Sequence, residues 1–132
     1  MTVYEAETAG VRVWVEPRFL EAQSDPAVGR YVWRYDVIVE NRRNDTIQLI
    51  ARQWSIFDAD GQREDVNGLG VVGEQPHIPP NDRFRYRSGA PLRTPSGLMR
   101  GSYHMLDGAG ESFRVEIPAF SLDSPYDDRP KH

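Results

Sequence analysis

Apolar and polar residues alternate with period two along most of this chain, the pattern of half-buried β-strands. Val11-Arg12-Val13-Trp14-Val15-Glu16 is the first such run, and Ser24-Asp25-Pro26 then interrupts the pattern as a turn. The strongest signal lies in residues 30–41, where Tyr31, Trp33, Tyr35, Val37 and Val39 share one face and Arg34, Asp36 and Glu40 take the other. Aromatic and β-branched side chains suit a pleated, half-buried surface. A polar turn at Asn41-Arg42-Arg43-Asn44-Asp45 precedes a strand over 46–57, and Asp60-Gly61 marks a hairpin into the segment after Glu64. Further strands are predicted over 83–88, 98–106 and 113–117. Ser88-Gly89-Ala90-Pro91 and Thr94-Pro95-Ser96-Gly97 read as loops, and Asp107-Gly108-Ala109-Gly110 as a turn.

About seven short strands between turn signals, with no amphipathic helix, predict an all-β antiparallel β-sandwich. The immunoglobulin-like and fibronectin type III plans both fit, and the missing Cys…Trp…Cys pattern favours the second. At 132 residues a single domain is expected, with its core over about 11–122 and flexible ends on either side. No cysteine is present, so disulfides and thiolate metal sites are excluded. Acid stands in Met1-Thr2-Val3-Tyr4-Glu5-Ala6-Glu7 where a signal peptide would carry base, and no apolar run approaches the ~20 residues of a membrane span. A soluble, cytoplasmic protein is expected. The net charge of −4 argues against wholesale nucleic-acid binding, and Lys131 is the only lysine.

Gly68-Leu69-Gly70-Val71-Val72-Gly73-Glu74-Gln75-Pro76 holds glycines at G-x-G-x-x-G spacing. That spacing serves dinucleotides where it leads from a strand into a helix whose N-terminus faces the phosphates. Here Pro76-His77-Ile78-Pro79-Pro80 follows, so no helix can start, and no lysine with Ser/Thr follows the last glycine as a P-loop requires. Two readings remain. Gly68, Gly70 and Gly73 let a strand crossover take positive φ and pack closely, or their amides form a nest for a phosphate or pyrophosphate. The crossover reading leads.

The same stretch resembles the signature of the ApaG family. Gln48-Leu49-Ile50-Ala51-Arg52-Gln53-Trp54, Tyr86-Arg87-Ser88-Gly89, Gly97-Leu98-Met99-Arg100-Gly101-Ser102-Tyr103 and Ile117-Pro118-Ala119-Phe120 also match in order, and the likeness runs from about Val11 to about Leu122. The resemblance implies a fibronectin type III-like sandwich without an established enzymatic activity. It also implies an association with cobalt and magnesium resistance or efflux, and a genetic neighbourhood beside a diadenosine tetraphosphate hydrolase. Similar domains in eukaryotic F-box proteins and a polymerase-delta-interacting protein point to protein binding. The family's proposed pyrophosphate loop maps onto Gly68, Gly70 and Gly73.

Other chemistry is sparse. Arg83, Arg85 and Arg87 lie at i, i+2, i+4 on one strand face, either a solvated outer surface or a stripe for phosphate or acidic protein. Arg52 and Arg100 are candidates to join them. Trp14 falls out of phase with Val11, Val13 and Val15, which makes it a partner contact if that face is open. Trp33, Tyr35, Trp54, Phe84, Tyr86 and Tyr103 read as core. His77, His104 and His132 lack metal-site spacing, Asp58–Glu64 fails as an EF-hand loop, and no G-x-S-x-G elbow exists. The resulting expectation is a non-enzymatic binding module without cofactor, metal or catalytic residues. It would recognise a protein partner or a small phosphorylated ligand, with homo-oligomerisation open. The alternative is a pyrophosphate- or nucleotide-binding protein linked to dinucleoside polyphosphate metabolism through Gly68–Gly73.

Overall fold

The computed structural model describes residues 2–127 and contains strands β1 (Tyr4–Thr8), β2 (Val11–Phe19), β3 (Tyr31–Asn41), β4 (Ile47–Asp58), β5 (Arg63–Leu69), β6 (His77–Ile78), β7 (Arg83–Leu92), β8 (Gly97–Leu106) and β9 (Ser112–Leu122). All pairings among these strands are antiparallel. They form a sandwich whose first sheet runs β1-β2-β3-β7 and whose second runs β5-β4-β8-β9, with β6 added to β4. The all-β antiparallel sandwich is therefore the fold.

The described residues form nine strands where about seven were expected. One addition is β1, in a segment expected to be loose. Ala9 and Gly10 take φ of 51° and 80°, the double positive φ of a two-residue type I′ hairpin, and fold Tyr4–Thr8 back onto β2. The other is the two-residue β6, tied down by Asn41, whose Nδ2 donates to Ile78 O at 2.9 Å and to Asp45 O at 2.7 Å. Ser88-Gly89-Ala90-Pro91, read as a loop, continues β7 to Leu92. Pro91 is tolerated there because β7 is an edge strand. The start of the tail is also integrated. Trp33 Nε1 donates to Asp123 O at 2.7 Å, Ser124 Oγ donates to Pro95 O at 2.6 Å, and the Tyr126 ring lies 6.0 Å from Phe19. Lys131 and His132 lie outside the described residues.

Val11, Val13 and Val15 bury against one another as the alternation predicts, and Trp33, Val37 and Val39 continue that layer. Tyr35, Trp54 and Phe120 meet at the centre, with ring centroids 5.5 to 5.9 Å apart. Two strands change phase part-way. On β4, Ile47 and Leu49 point inward, and then Trp54 does, because Ile50 is an extra residue that β8 does not match. On β9, Val115 and Ile117 point inward, and then Phe120 and Leu122, with the extra residue falling at Pro118-Ala119. Each bulge turns every later side chain of its strand to the other face.

Phe120→Ala, which empties a fully buried position among three aromatic rings, should cost about 3–5 kcal/mol in urea unfolding. Asp45 joins two turns, since its carboxylate accepts from Arg43 Nε at 2.8 Å and from Gly108 N at 2.9 Å. Arg43 first and the Gly108 amide second hold this carboxyl at about 2, below its ordinary 3.8. A depressed folded value means its stabilisation is complete above pH 3.8 and disappears as pH falls through about 2. Asp45→Asn should remove that part of the acid dependence, and a carboxyl titration by NMR should place the group near 2.

Candidate functional site

The glycine stretch is a small knot at the end of β5. Gly68 is still in the strand, opposite Arg52, and a Cβ there would lie 2.7 Å from the Arg52 guanidinium, which would have to move aside. Gly70 takes φ 61°, and a Cβ there would meet Glu74 O at 2.1 Å. Val71 and Glu74 exchange backbone hydrogen bonds of 2.8 and 2.9 Å around Val72 and Gly73, whose φ of 45° and 80° close another type I′ turn. Each glycine thus has a steric or conformational reason within the fold. The amides of Gly70, Val71 and Glu74 are occupied, Gly70 N donating to Ile50 O at 2.7 Å. Val72 and Gly73 at the tip are left as amides without a partner among the described residues.

The bulge at Ile50 has a second effect. It turns Arg52 inward, in phase with Trp54, where Nη1 donates to Leu69 O at 3.0 Å and Gly70 O at 2.9 Å. Arg52 therefore fastens the glycine knot to the sandwich. It does not join the β7 arginines. Near it the interior is phenolic: Tyr86 and Tyr103 share a short hydroxyl–hydroxyl hydrogen bond. Burial raises the Tyr35, Tyr86 and Tyr103 hydroxyls above their ordinary 10.0, while the Arg52 charge opposes the rise at each. These groups are neutral at physiological pH. A cleft of about 650 Å³ opens beside them between β5 and β7, lined by Tyr35, Arg52, Trp54, Ile56 and Met99 among others.

The outer face of the first sheet unites two features that the sequence offered separately. Strand register sets Glu5, Trp14, Ile38 and Arg85 side by side across four strands, next to a row of Glu7, Arg12, Glu40 and Arg83. Trp14 is half-buried in this face, its Nε1 donating to Glu5 Oε2 at 2.7 Å. The guanidiniums of Arg12 and Arg83 lie 5.6 and 5.2 Å from its ring centroid. Arg83 Nε donates to Glu40 at 2.7 Å and Arg87 Nε to Asp36 at 2.8 Å, whereas Arg85 has no ion pair among the described residues. Arg42 first and then Arg83 hold the Glu40 carboxyl below its usual range. The residues lining the cleft beside Arg52 do not include Arg83, Arg85 or Arg87. The arginine stripe and the glycine knot are separate places. Arg100 lies over the Phe57 ring at 5.1 Å, away from both.

His77 and His104 are exposed on β6 and β8, and among the described residues no three His, Asp or Glu side chains gather as a metal would require. No described helix is long and apolar enough to cross a membrane. The inward Arg52 escaped the sequence reading, although a signal existed: the buried parity moves from Ile47 and Leu49 to Trp54.

This fold has counterparts. The model of the ApaG domain matches residues 21–107. The chain belongs to the ApaG family. It is 57% identical over 125 residues to the Protein ApaG of Maricaulis maris, covering 95% of this chain and 96% of that protein. With the Protein ApaG of Parvibaculum lavamentivorans it shares 50% identity over 98% of this chain and the whole of the relative. A crystal structure of the putative ApaA protein from Bordetella pertussis is 40% identical and superimposes with a TM-score of 0.86, over 94% of this chain and 99% of that one. The C-terminal domain of wzt, 10% identical with a TM-score of 0.51, shares the fold alone.

The steric roles of the glycines can be separated. Gly70→Ala should lose about 3 kcal/mol or more, combining a backbone clash with positive-φ strain. Gly73→Ala, where nothing lies within 4 Å of the added Cβ, should lose only about 1 kcal/mol. Denaturant midpoints of the two variants check the order.

Proposed function

We propose that this ApaG-family protein is a non-enzymatic, cytoplasmic binding module that docks a protein partner on the outer face of its first sheet. The observation that carries the reading is the cross-strand row in which half-buried Trp14 and Ile38 lie between Glu5 and Arg85, which has no ion pair among the described residues. Tryptophan and arginine dominate the energetics of protein interfaces, and an apolar centre inside a charged rim is their usual setting. The partner supplies an apolar side chain over Trp14 and Ile38 and a carboxylate opposite Arg85. The neighbouring ion pairs contribute register more than affinity, because exposed pairs are worth roughly 0–1 kcal/mol. The association of the family with cobalt and magnesium resistance then runs through that partner. The alternative of phosphate or pyrophosphate binding by the glycine knot rests on the two tip amides of Val72 and Gly73.

Immobilised protein should retain a defined partner that Trp14→Ala and Arg85→Glu each release, weakening binding by about tenfold or more, equivalent to about 1.4 kcal/mol. Gln53→Ala, on the outer face of the other sheet, should leave retention unchanged, and melting temperatures should confirm that all three variants fold. Retention indifferent to both Trp14 and Arg85 would sink the proposal. Amide shifts at Val72 and Gly73 on adding pyrophosphate would favour the alternative.

A further inference from the structure

Most arginines of the described chain have a carboxylate beside them, including Arg12 with Glu7, Arg43 with Asp45 and Arg87 with Asp36. Arg52 does not. Its Nη1 is used by the carbonyls of Leu69 and Gly70, while Nε–H and the Nη2 protons have no partner among the described residues. It is half-buried, it points into the sandwich, and it lines the cleft between β5 and β7. None of these Arg52 nitrogens is a buried donor without a partner, so the unused N–H groups stay open to solvent and to a ligand.

The rest of the cleft shows what kind of ligand would complete it. Trp54 and Met99 are almost fully buried and, with Ile56, form an apolar wall. Arg30 and Arg93 stand exposed on the lining without ion pairs among the described residues. The acids present are Asp58, whose Oδ1 accepts the Asp60 and Gln62 amides of the hairpin turn, and Glu64, while Arg63 is taken by Asp65. The balance is positive and the volume of about 650 Å³ lies within the range of small-molecule sites. One inward guanidinium matches a monoanion, and its unused N–H edge matches the two oxygens of a carboxylate.

We infer that the cleft between β5 and β7 binds a small organic carboxylate, its headgroup on Arg52 and its apolar stem against Trp54, Ile56 and Met99. This site is independent of the Trp14 face and of the glycine-tip amides. Arg52 has two tasks in it, since the same side chain that holds Leu69 and Gly70 presents its remaining donors to the ligand. Gly68 leaves the Arg52 guanidinium in this position unobstructed.

The test is an NMR titration of the intact protein with 4-phenylbutyrate, its neutral amide, inorganic phosphate and pyrophosphate. Side-chain signals of Ile56, Met99 and Arg52 are followed together with the backbone amides. Phenylbutyrate should give saturable shifts at all three side chains. The neutral amide should bind at least about tenfold more weakly. Arg52→Gln should show the same loss while retaining a dispersed spectrum; should that variant not fold, the acid–amide pair measured on the unaltered protein still decides. Absence of saturation, equal binding of acid and amide, or shifts confined to Gly68–Gly73 would each overturn the inference. So would phosphate or pyrophosphate matching phenylbutyrate at Arg52, because the apolar wall would then contribute nothing.

Discussion

One extra residue in β4 organises this molecule. Ile50 bulges out of the pairing with β8, and the strand that buried Ile47 and Leu49 before it buries Trp54 after it. Because side chains alternate strictly along a strand, the bulge also commits Arg52 to the interior. The carbonyl of Ile50 accepts from Gly70 N at 2.7 Å and from Gln75 Nε2 at 2.9 Å, so the irregularity anchors the glycine knot from outside while Arg52 anchors it from within. The bulge, the arginine and the glycines form one device.

That device gives the glycines a role without any ligand. The missing Cβ at Gly68 lets the strand pass the Arg52 guanidinium without displacing it, and a chain that reverses at once against the Glu74 backbone needs a residue lacking Cβ at Gly70. The spacing that resembles a dinucleotide fingerprint therefore arises from a strand end, a close approach and a type I′ turn. A helix that would lend its dipole to a phosphate is replaced by the proline-bounded β6.

The charged outer face obeys a different constraint. Antiparallel register across four strands places acids beside bases, as in the row Glu7, Arg12, Glu40 and Arg83. The β7 arginines are consequently not equivalent. Arg83 and Arg87 meet Glu40 and Asp36 on β3, and Arg85 meets Ile38. Among the described residues, the strand that looks uniformly basic has one arginine without an ion pair, Arg85, beside the apolar pair Trp14 and Ile38.

Much of this was legible along the chain. Alternation from Val11 to Val15 and from Trp33 to Val39 dictates two-faced strands, and the proline-rich run after Gly73 excludes the helix of a nucleotide fold. Parity alone put Trp14 on the face opposite Val11, Val13 and Val15 and the three arginines of β7 on one common face, without deciding what covers either face. Local pattern decides these features because each depends on neighbours one or two residues away. Tertiary structure decided the rest. Whether Tyr4–Thr8 pairs or hangs free depends on β2 and on Arg43, whose Nη1 holds Ala9 O at 2.9 Å. That Trp14 and Arg85 share a row depends on the register of strands more than seventy residues apart in sequence order. The inward turn of Arg52 depends on a bulge that only pairing with β8 reveals. A strand carries its own alternation, and it acquires a register, a partner and a bulge only when another strand is laid against it.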